Sequence, residues 1–161
     1  MGKSGTEKPL FSKVDQIGVL VRDVEAAAKY FEALGIGPFG DPPDHIPAID
    51  RVVHGKLAPD VKNRAKMVQL GEIEFELVQP VSGRSVQRER LEARGEGINH
   101  LGIFVVDLEK ETAGLVEKGF KVISSGRFPG SGGFAYFDTD KVGGVQIELI
   151  QFPPGEYKIK Y

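Results

Sequence analysis

Two glutamates, a histidine and a glutamine sit at matched places in this chain, and together they make a donor set for a divalent cation. Gln16 opens the apolar run Gln16-Ile17-Gly18-Val19-Leu20-Val21, and His100 opens His100-Leu101-Gly102-Ile103-Phe104-Val105. One constant offset carries Gln16 to His100, Gly18 to Gly102, Asp23 to Asp107, Glu25 to Glu109 and Gly35 to Gly119 without a gap. A second pair comes from the closing segments: Glu74-Phe75-Glu76-Leu77-Val78-Gln79-Pro80 resembles Gln146-Ile147-Glu148-Leu149-Ile150-Gln151-Phe152-Pro153, which sets Glu76 on Glu148. Two carboxylates, an imidazole and an amide oxygen suit one divalent ion of Co, Mn, Zn, Ni or Mg. The two carboxylates would also balance its charge within a cleft. Taken singly, a strand histidine is more often structural and alternate glutamates are more often a wet face, which Glu72 and Glu74 mark. The shared recurrence favours the metal reading.

The elements that must bring these four side chains together follow from the same repeat. Each copy reads as a β-branched run, an Asp at a helix N-cap, and a helical segment closed by Gly. The first strand is expected from Val14 to Val21 and the first helix from Val24 to Leu34, with Val24, Ala27, Ala28, Phe31 and Leu34 at helical spacing. A Gly/Pro/Asp-rich loop follows to Pro47. Strands are then expected at Ile49 to Leu57, Ala65 to Leu70 and Ile73 to Gln79, the last two joined by a tight turn at Gly71-Glu72. The second copy predicts a strand from Ile98 to Val105, a helix from Leu108 to Lys118, and strands from Lys121 to Ser125, Phe134 to Asp138 and Val145 to Gln151. The fold class is therefore α+β: two tandem βαβββ modules forming a curved mixed sheet around a metal cleft. The divisions are a polar leader at 1–10, a first module at 11–82, a helical linker at 83–96, a second module at 97–153 and a tail at 154–161. Side chains alternate along a strand, so repeat partners face the same way after a twofold rotation of one module onto the other.

Composition narrows the function. With 161 residues, 40% apolar and 27% charged, the chain can bury a core as a soluble globular protein. Its 21 basic and 23 acidic residues leave a formal charge of −2, no case for binding nucleic acid or an anionic membrane. No cysteine is present, which removes disulfides, thiolate metal sites and thiol nucleophiles. The polar start lacks the apolar core of a signal peptide and no apolar run approaches a membrane span, so a cytoplasmic location is expected. The early Gly2-Lys3-Ser4 is not a phosphate-binding loop, because the upstream glycines and strand are missing. His45 is expected in an exposed loop. His54 is placed in a strand that could face the cleft, and Gly130 to Gly133 in a flexible hairpin loop.

These segments resemble the vicinal oxygen chelate superfamily, and within it the methylmalonyl-CoA epimerases. The residues that carry the resemblance are Val14-Asp15-Gln16-Ile17-Gly18-Val19, Gln69-Leu70-Gly71 leading to Glu76-Leu77, Gly97-Ile98-Asn99-His100-Leu101-Gly102 and Lys141-Val142-Gly143-Gly144-Val145-Gln146-Ile147-Glu148-Leu149. The resemblance implies metal ligands at Gln16, Glu76, His100 and Glu148, with Glu148 also moving a proton. It implies a thioester substrate and a possible homodimer. The epimerases have His where this chain has Gln16, and the resulting Gln/Glu/His/Glu set is similar to zinc-type glyoxalase I. Some members have a second carboxylate on the third strand of the first module. Here Ala65-Lys66-Met67-Val68-Gln69-Leu70 offers none, which leaves Lys66 or His54 as substitutes.

The chemistry implied is metal-assisted removal and return of the proton beside a thioester carbonyl. Lys141, just ahead of the strand bearing Glu148, is the candidate for binding substrate anions. The alternatives are a glyoxalase I-type lyase acting on a glutathione hemithioacetal, and a non-catalytic small-molecule-binding member of the same superfamily.

Overall fold

In each half of the chain a strand hands over to a helix through an aspartate cap. The computed structural model describes residues 10–43 and 48–155. Strand β1 (Gln16–Leu20) leads to α1 (Val24–Ala33), where the Asp23 carboxylate accepts from the backbone N–H groups of Glu25 and Ala26. Strand β6 (Gly97–Phe104) leads to α3 (Leu108–Glu117), where Asp107 accepts from the Lys110 N–H. Both helices end in the same way. Gly35 and Gly119 adopt φ of 85° and 92°, and the next N–H groups, of Ile36 and Phe120, reach back to the Phe31 and Leu115 carbonyls at 3.0 and 3.1 Å.

The remaining strands are β2 (Ile49–Val53), β3 (Lys56–Leu57), β4 (Lys62–Leu70), β5 (Ile73–Ser82), β7 (Val122–Arg127), β8 (Gly133–Phe137) and β9 (Gln146–Gln151), with α2 (Val86–Arg94) between the halves. All join one nine-stranded mixed sheet in the order β3-β2-β7-β8-β9-β6-β1-β5-β4. β1 runs parallel to β5, and β6 parallel to β9. β1 and β6 meet antiparallel at the centre, which is the pseudo-twofold joint of the two βαβββ units. The fold is α+β, a curved half-barrel of the expected class.

Alternation decides the two faces. Val19, Val21, Leu77 and Val68 point to α1 and pack on Val24 and Ala28, with Phe31, Phe39 and Phe75 in edge and tilted contacts. Ile103, Leu149, Ala135 and Phe137 do the same against Leu115 of α3. The opposite, concave face carries Gln16, Glu76, His100 and Glu148.

The second strand departs from expectation in two ways. The segment Ile49 to Leu57 is a hairpin, not one strand. His54 and Gly55, at φ of 47° and 77°, make a two-residue turn between Val53 and Lys56, and positive φ at both positions matches the right-handed twist of the flanking strands. His54 is thus a turn residue. The hairpin also leaves its own half: β2 pairs antiparallel with β7 of the second half, whereas Gly40 forms an isolated bridge with Met67 of β4. Gly40 therefore sits at the β4 end of the curved sheet, whereas β2 lies toward its other end.

His45 lies outside the described residues, as does most of the leader and tail. Among the described residues no helix is long and apolar enough to cross a membrane.

Candidate active site

The centre of the concave face is the His100 imidazole, which has no exposed surface. Its Nε2 lies 3.0 Å from Gln16 Oε1, 3.1 Å from Glu148 Oε2 and 3.4 Å from Glu76 Oε2. Strands β1, β5, β6 and β9 each supply one of these four side chains. Two glycines make the convergence possible. Gly18 stands opposite His100 and Gly102 opposite Gln16 across the β1–β6 joint. A Cβ on Gly18 would fall 1.8 Å from His100 Cε1, and one on Gly102 would fall 2.8 Å from Gln16 Cβ. The repeated glycine thus leaves room for the side chain that the other half projects.

A second row orients the first. The Gln16 Nε2 amide donates to Glu74 Oε1 at 2.5 Å, which turns the Gln16 oxygen toward His100. Glu74 is 2% exposed, so it is not part of a wet face as the sequence suggested. It shares the inward parity of Glu76, and that parity was the available signal. On the other side Tyr136, the β8 partner of Glu148, donates its hydroxyl to Glu148 and accepts from Gln87 of α2. Its ring also meets the His100 ring edge-on at 5.3 Å. Tyr136 and Gln87 escaped the sequence reading, the first because it sits among aromatic core residues and the second because it belongs to a charged linker.

Burial and mutual repulsion set the charges. Burial pushes the Glu148 carboxyl up to about 7, with the Glu76 carboxylate adding to the rise and His100 opposing it. Burial works against a charged His100, but the Glu148 and Glu76 carboxylates outweigh it and hold the imidazole above its usual value. Tyr136 is pushed well above its usual value by burial and by Glu148.

Among the described residues no group of three or more His, Cys, Asp or Glu side chains is spaced to hold a metal ion by itself. The donor set nevertheless fits a divalent cation. Neighbouring ligands at bonds of about 2.1 Å are about 3.0 Å apart in an octahedral shell and about 3.4 Å in a tetrahedral one, which brackets the three contacts to His100. Two carboxylates against neutral nitrogen and amide donors would also match a 2+ charge.

Above the four residues lies a cavity of about 220 Å³. Its walls are Phe128, Phe134 and Phe152 on one side and Asn63, Ala65 and Met67 of β4 on the other, with Arg51 of β2 reaching in. The space suits a small group, being below the ~300–1,000 Å³ of sites for larger ligands. Lys66 points away from it, paired with Asp41 at 3.0 Å and Glu25 at 3.8 Å. His54 is outside too, bound to Glu89 at 2.8 Å. Neither substitute for a second base is in the cavity. Lys141 is exposed on the turn between β8 and β9 and does not line it either. Two glycines of the 130–133 loop serve packing: Cβ atoms on Gly132 and Gly133 would strike the Gln151 and Gly126 carbonyl oxygens at 2.1 and 2.2 Å.

The sequence profile of the glyoxalase/bleomycin resistance protein/dioxygenase superfamily matches residues 15–137, most of the chain. The chain belongs to that superfamily. An uncharacterised relative, YqjC of Bacillus subtilis (strain 168), is 23% identical over 150 residues, covering 90% of this chain and 95% of its own. Among solved structures, a hypothetical protein from Bacillus halodurans C-125 is similar with a TM-score of 0.63 and 22% identity, over 91% of this chain and 98% of that one. The methylmalonyl-CoA epimerase from Mycobacterium tuberculosis is similar with a TM-score of 0.60 and 22% identity, over 90% and 91%. At these identities the likeness to solved structures establishes the superfamily fold. The matched profile includes Gln16, Glu76 and His100 and ends before Glu148.

Proposed function

We propose that this chain is a divalent-metal-dependent isomerase that removes and returns the proton beside the carbonyl of an acyl-CoA thioester, as in the methylmalonyl-CoA epimerases whose fold it shares. One juxtaposition carries the reading: the buried Glu148 carboxyl lies within the four-donor cluster, 3.1 Å from His100, and faces a small cavity in which a reacting carbon can be set against it. Gln16, Glu76, His100 and Glu148 are the residues that would hold the cation. Bound there, it would supply positive charge beside the substrate oxygens and lower the cost of the negative charge that builds on the carbonyl.

The chain's own groups do the rest. Glu148 receives the α-proton on a carboxylate oxygen and gives it back. Tyr136, itself held by Gln87, donates to that carboxylate and fixes its direction. The Phe128, Phe134 and Phe152 wall keeps water from the reacting carbon. Among the described residues the β4 wall, Asn63, Ala65 and Met67, carries no titratable side chain. Exchange on the Glu148 face is therefore the step that the described residues perform unaided. With Co²⁺ added and methylmalonyl-CoA supplied in deuterated water, mass spectrometry should show deuterium entering the α-position. Glu148→Gln should slow that entry at least ~100-fold, and unchanged exchange in this variant would remove Glu148 from the role.

The amide at Gln16 favours one second reading. Its oxygen is fixed toward His100 by Glu74, giving the Gln/Glu/His/Glu set that resembles zinc-type glyoxalase I. Turnover of methylglyoxal with glutathione, without thioester exchange, would select the lyase. Lack of both activities in metal-loaded protein would select a binding role.

A further inference from the structure

Among the described residues Arg51 is the one cationic side chain in the cavity wall. β2 pairs with β7 through Ile49 opposite Arg127 and Val52 opposite Ser125, with a bulge between them. Asp50 absorbs the extra residue at φ 48°, a conformation that Asp tolerates better than most side chains. The bulge re-aims the strand: Ile49, Asp50 and Val52 line a groove on the outer side, while Arg51 turns into the cavity. Asp50 itself is tied to Arg127. Outside the cavity, then, the bulge is anchored by an ion pair; inside, it delivers a cation.

The Arg51 guanidinium carbon stands 4.8 Å above the Phe134 ring. A guanidinium has five N–H donors, so this cation–π contact leaves it donors to spare. Among the described residues the Arg51 side chain makes no hydrogen bond or ion pair, and burial lowers its affinity for its proton even though Tyr136 and Glu148 act in the other direction. Once Glu76 and Glu148 are committed to a divalent cation, Arg51 is the cavity's uncompensated positive charge. A half-buried charge of that kind is stable only when a partner answers it.

We propose that Arg51 is the recognition residue for a carboxylate on the substrate, so that the site takes small acyl compounds carrying a free carboxylate next to the reacting carbon. The guanidinium edge offers two parallel N–H donors to the carboxylate oxygens. The wall of phenylalanines beside it accommodates the apolar remainder of the acyl group. The acyl-CoA form of this inference, and the cation that engages Glu76 and Glu148, rest on the proposed function; the place of Arg51 in the cavity wall does not.

The test is binding to Co²⁺-loaded protein by calorimetry, with methylmalonyl-CoA, propionyl-CoA, which lacks the carboxylate, and malonate, which lacks the CoA. Arg51→Gln should weaken methylmalonyl-CoA and malonate roughly 10- to 100-fold and leave propionyl-CoA within about twofold. Arg51→Lys should recover part of the loss, and unchanged thermal melts of both variants should show that the fold is kept. Malonate binding that depends on Arg51, with neither thioester bound, would retain the carboxylate role and discard the acyl-CoA reading. Equal losses for both thioesters, no loss for methylmalonyl-CoA, or a wild-type protein that binds no carboxylate would each overturn the assignment.

Discussion

At the scale of the residue, one methyl group is enough to test the centre. Gly18→Ala would put a Cβ 1.8 Å from His100 Cε1, in space that the imidazole fills. The ring must leave, and calorimetry should show divalent-ion binding lost by more than ~100-fold alongside a destabilisation of about 1–3 kcal/mol. Gly102→Ala meets Gln16 Cβ at 2.8 Å and its flexible amide oxygen at 2.9 Å, so the same assay should register a smaller loss. Protons are the second probe. Glu148 has its carboxyl raised from 4.5 to about 7, so the folded, metal-free protein holds a proton there that an unfolded chain releases. That contribution to stability is lost as the pH rises from about 4.5 through about 7, and the deficit is constant above. At pH 8 metal-free Glu148→Gln should therefore unfold at higher denaturant than the wild type, by on the order of 1–3 kcal/mol. Cation binding to the wild type should release protons and weaken as the pH falls below about 7, which titrations in two buffers of different ionisation enthalpy would reveal.

At the scale of the element, α2 closes one end of the half-barrel. Its charged sequence reads as a linker, and it is a helix, but Val86, Gln87 and Leu91 are buried beneath the charges. Leu91 packs on Leu20 and Val78, Val86 packs on Val53 and Val61, and Gln87 reaches Tyr136. Ser85 caps the helix by accepting from the Arg88 N–H. Ser85→Ala should lower stability by about 1 kcal/mol and Leu91→Ala by about 2–4 kcal/mol. Both should also blunt proton exchange by letting Gln87 withdraw from Tyr136, whereas an exposed change such as Glu92→Ala should do neither. Legibility follows the same line. The caps, the terminal glycines and most strands of both halves could be read because each is set by local pattern, and the two copies reinforced each other; the unrepeated β2–β3 hairpin was read as one strand. Glu74 was read as solvated although it shares the parity of Glu76, because nothing local to its strand shows the Gln16 amide that binds it when buried. Arg51 was illegible because its direction depends on a bulge, and the bulge depends on a pairing with β7 more than seventy positions away.

At the scale of the whole molecule, the two halves are not closed units. β2 belongs to the first half in sequence and to the edge of the second half in space, and its Val53 packs with Ile123 of β7 and Val86 of α2. Separately expressed segments 11–82 and 97–155 should therefore remain unfolded or aggregate, each lacking a strand partner or its cover. The full chain should unfold in a single transition in urea, with the same midpoint by circular dichroism and by tyrosine fluorescence. Two separated midpoints would instead show halves that stand alone.

The shared strand also has a bearing on synthesis. A ribosome releases β2 long before β7 exists, so the hairpin waits without its partner while β1, α1, β4 and β5 can already associate. During that interval the nascent chain carries an unclaimed, partly apolar ribbon, of the sort that invites contact with neighbouring chains or with a chaperone. The enclosing of the cavity is thus among the last events in the life of the newborn polypeptide, and a pause in translation before Val122 would prolong the time for which it stays open.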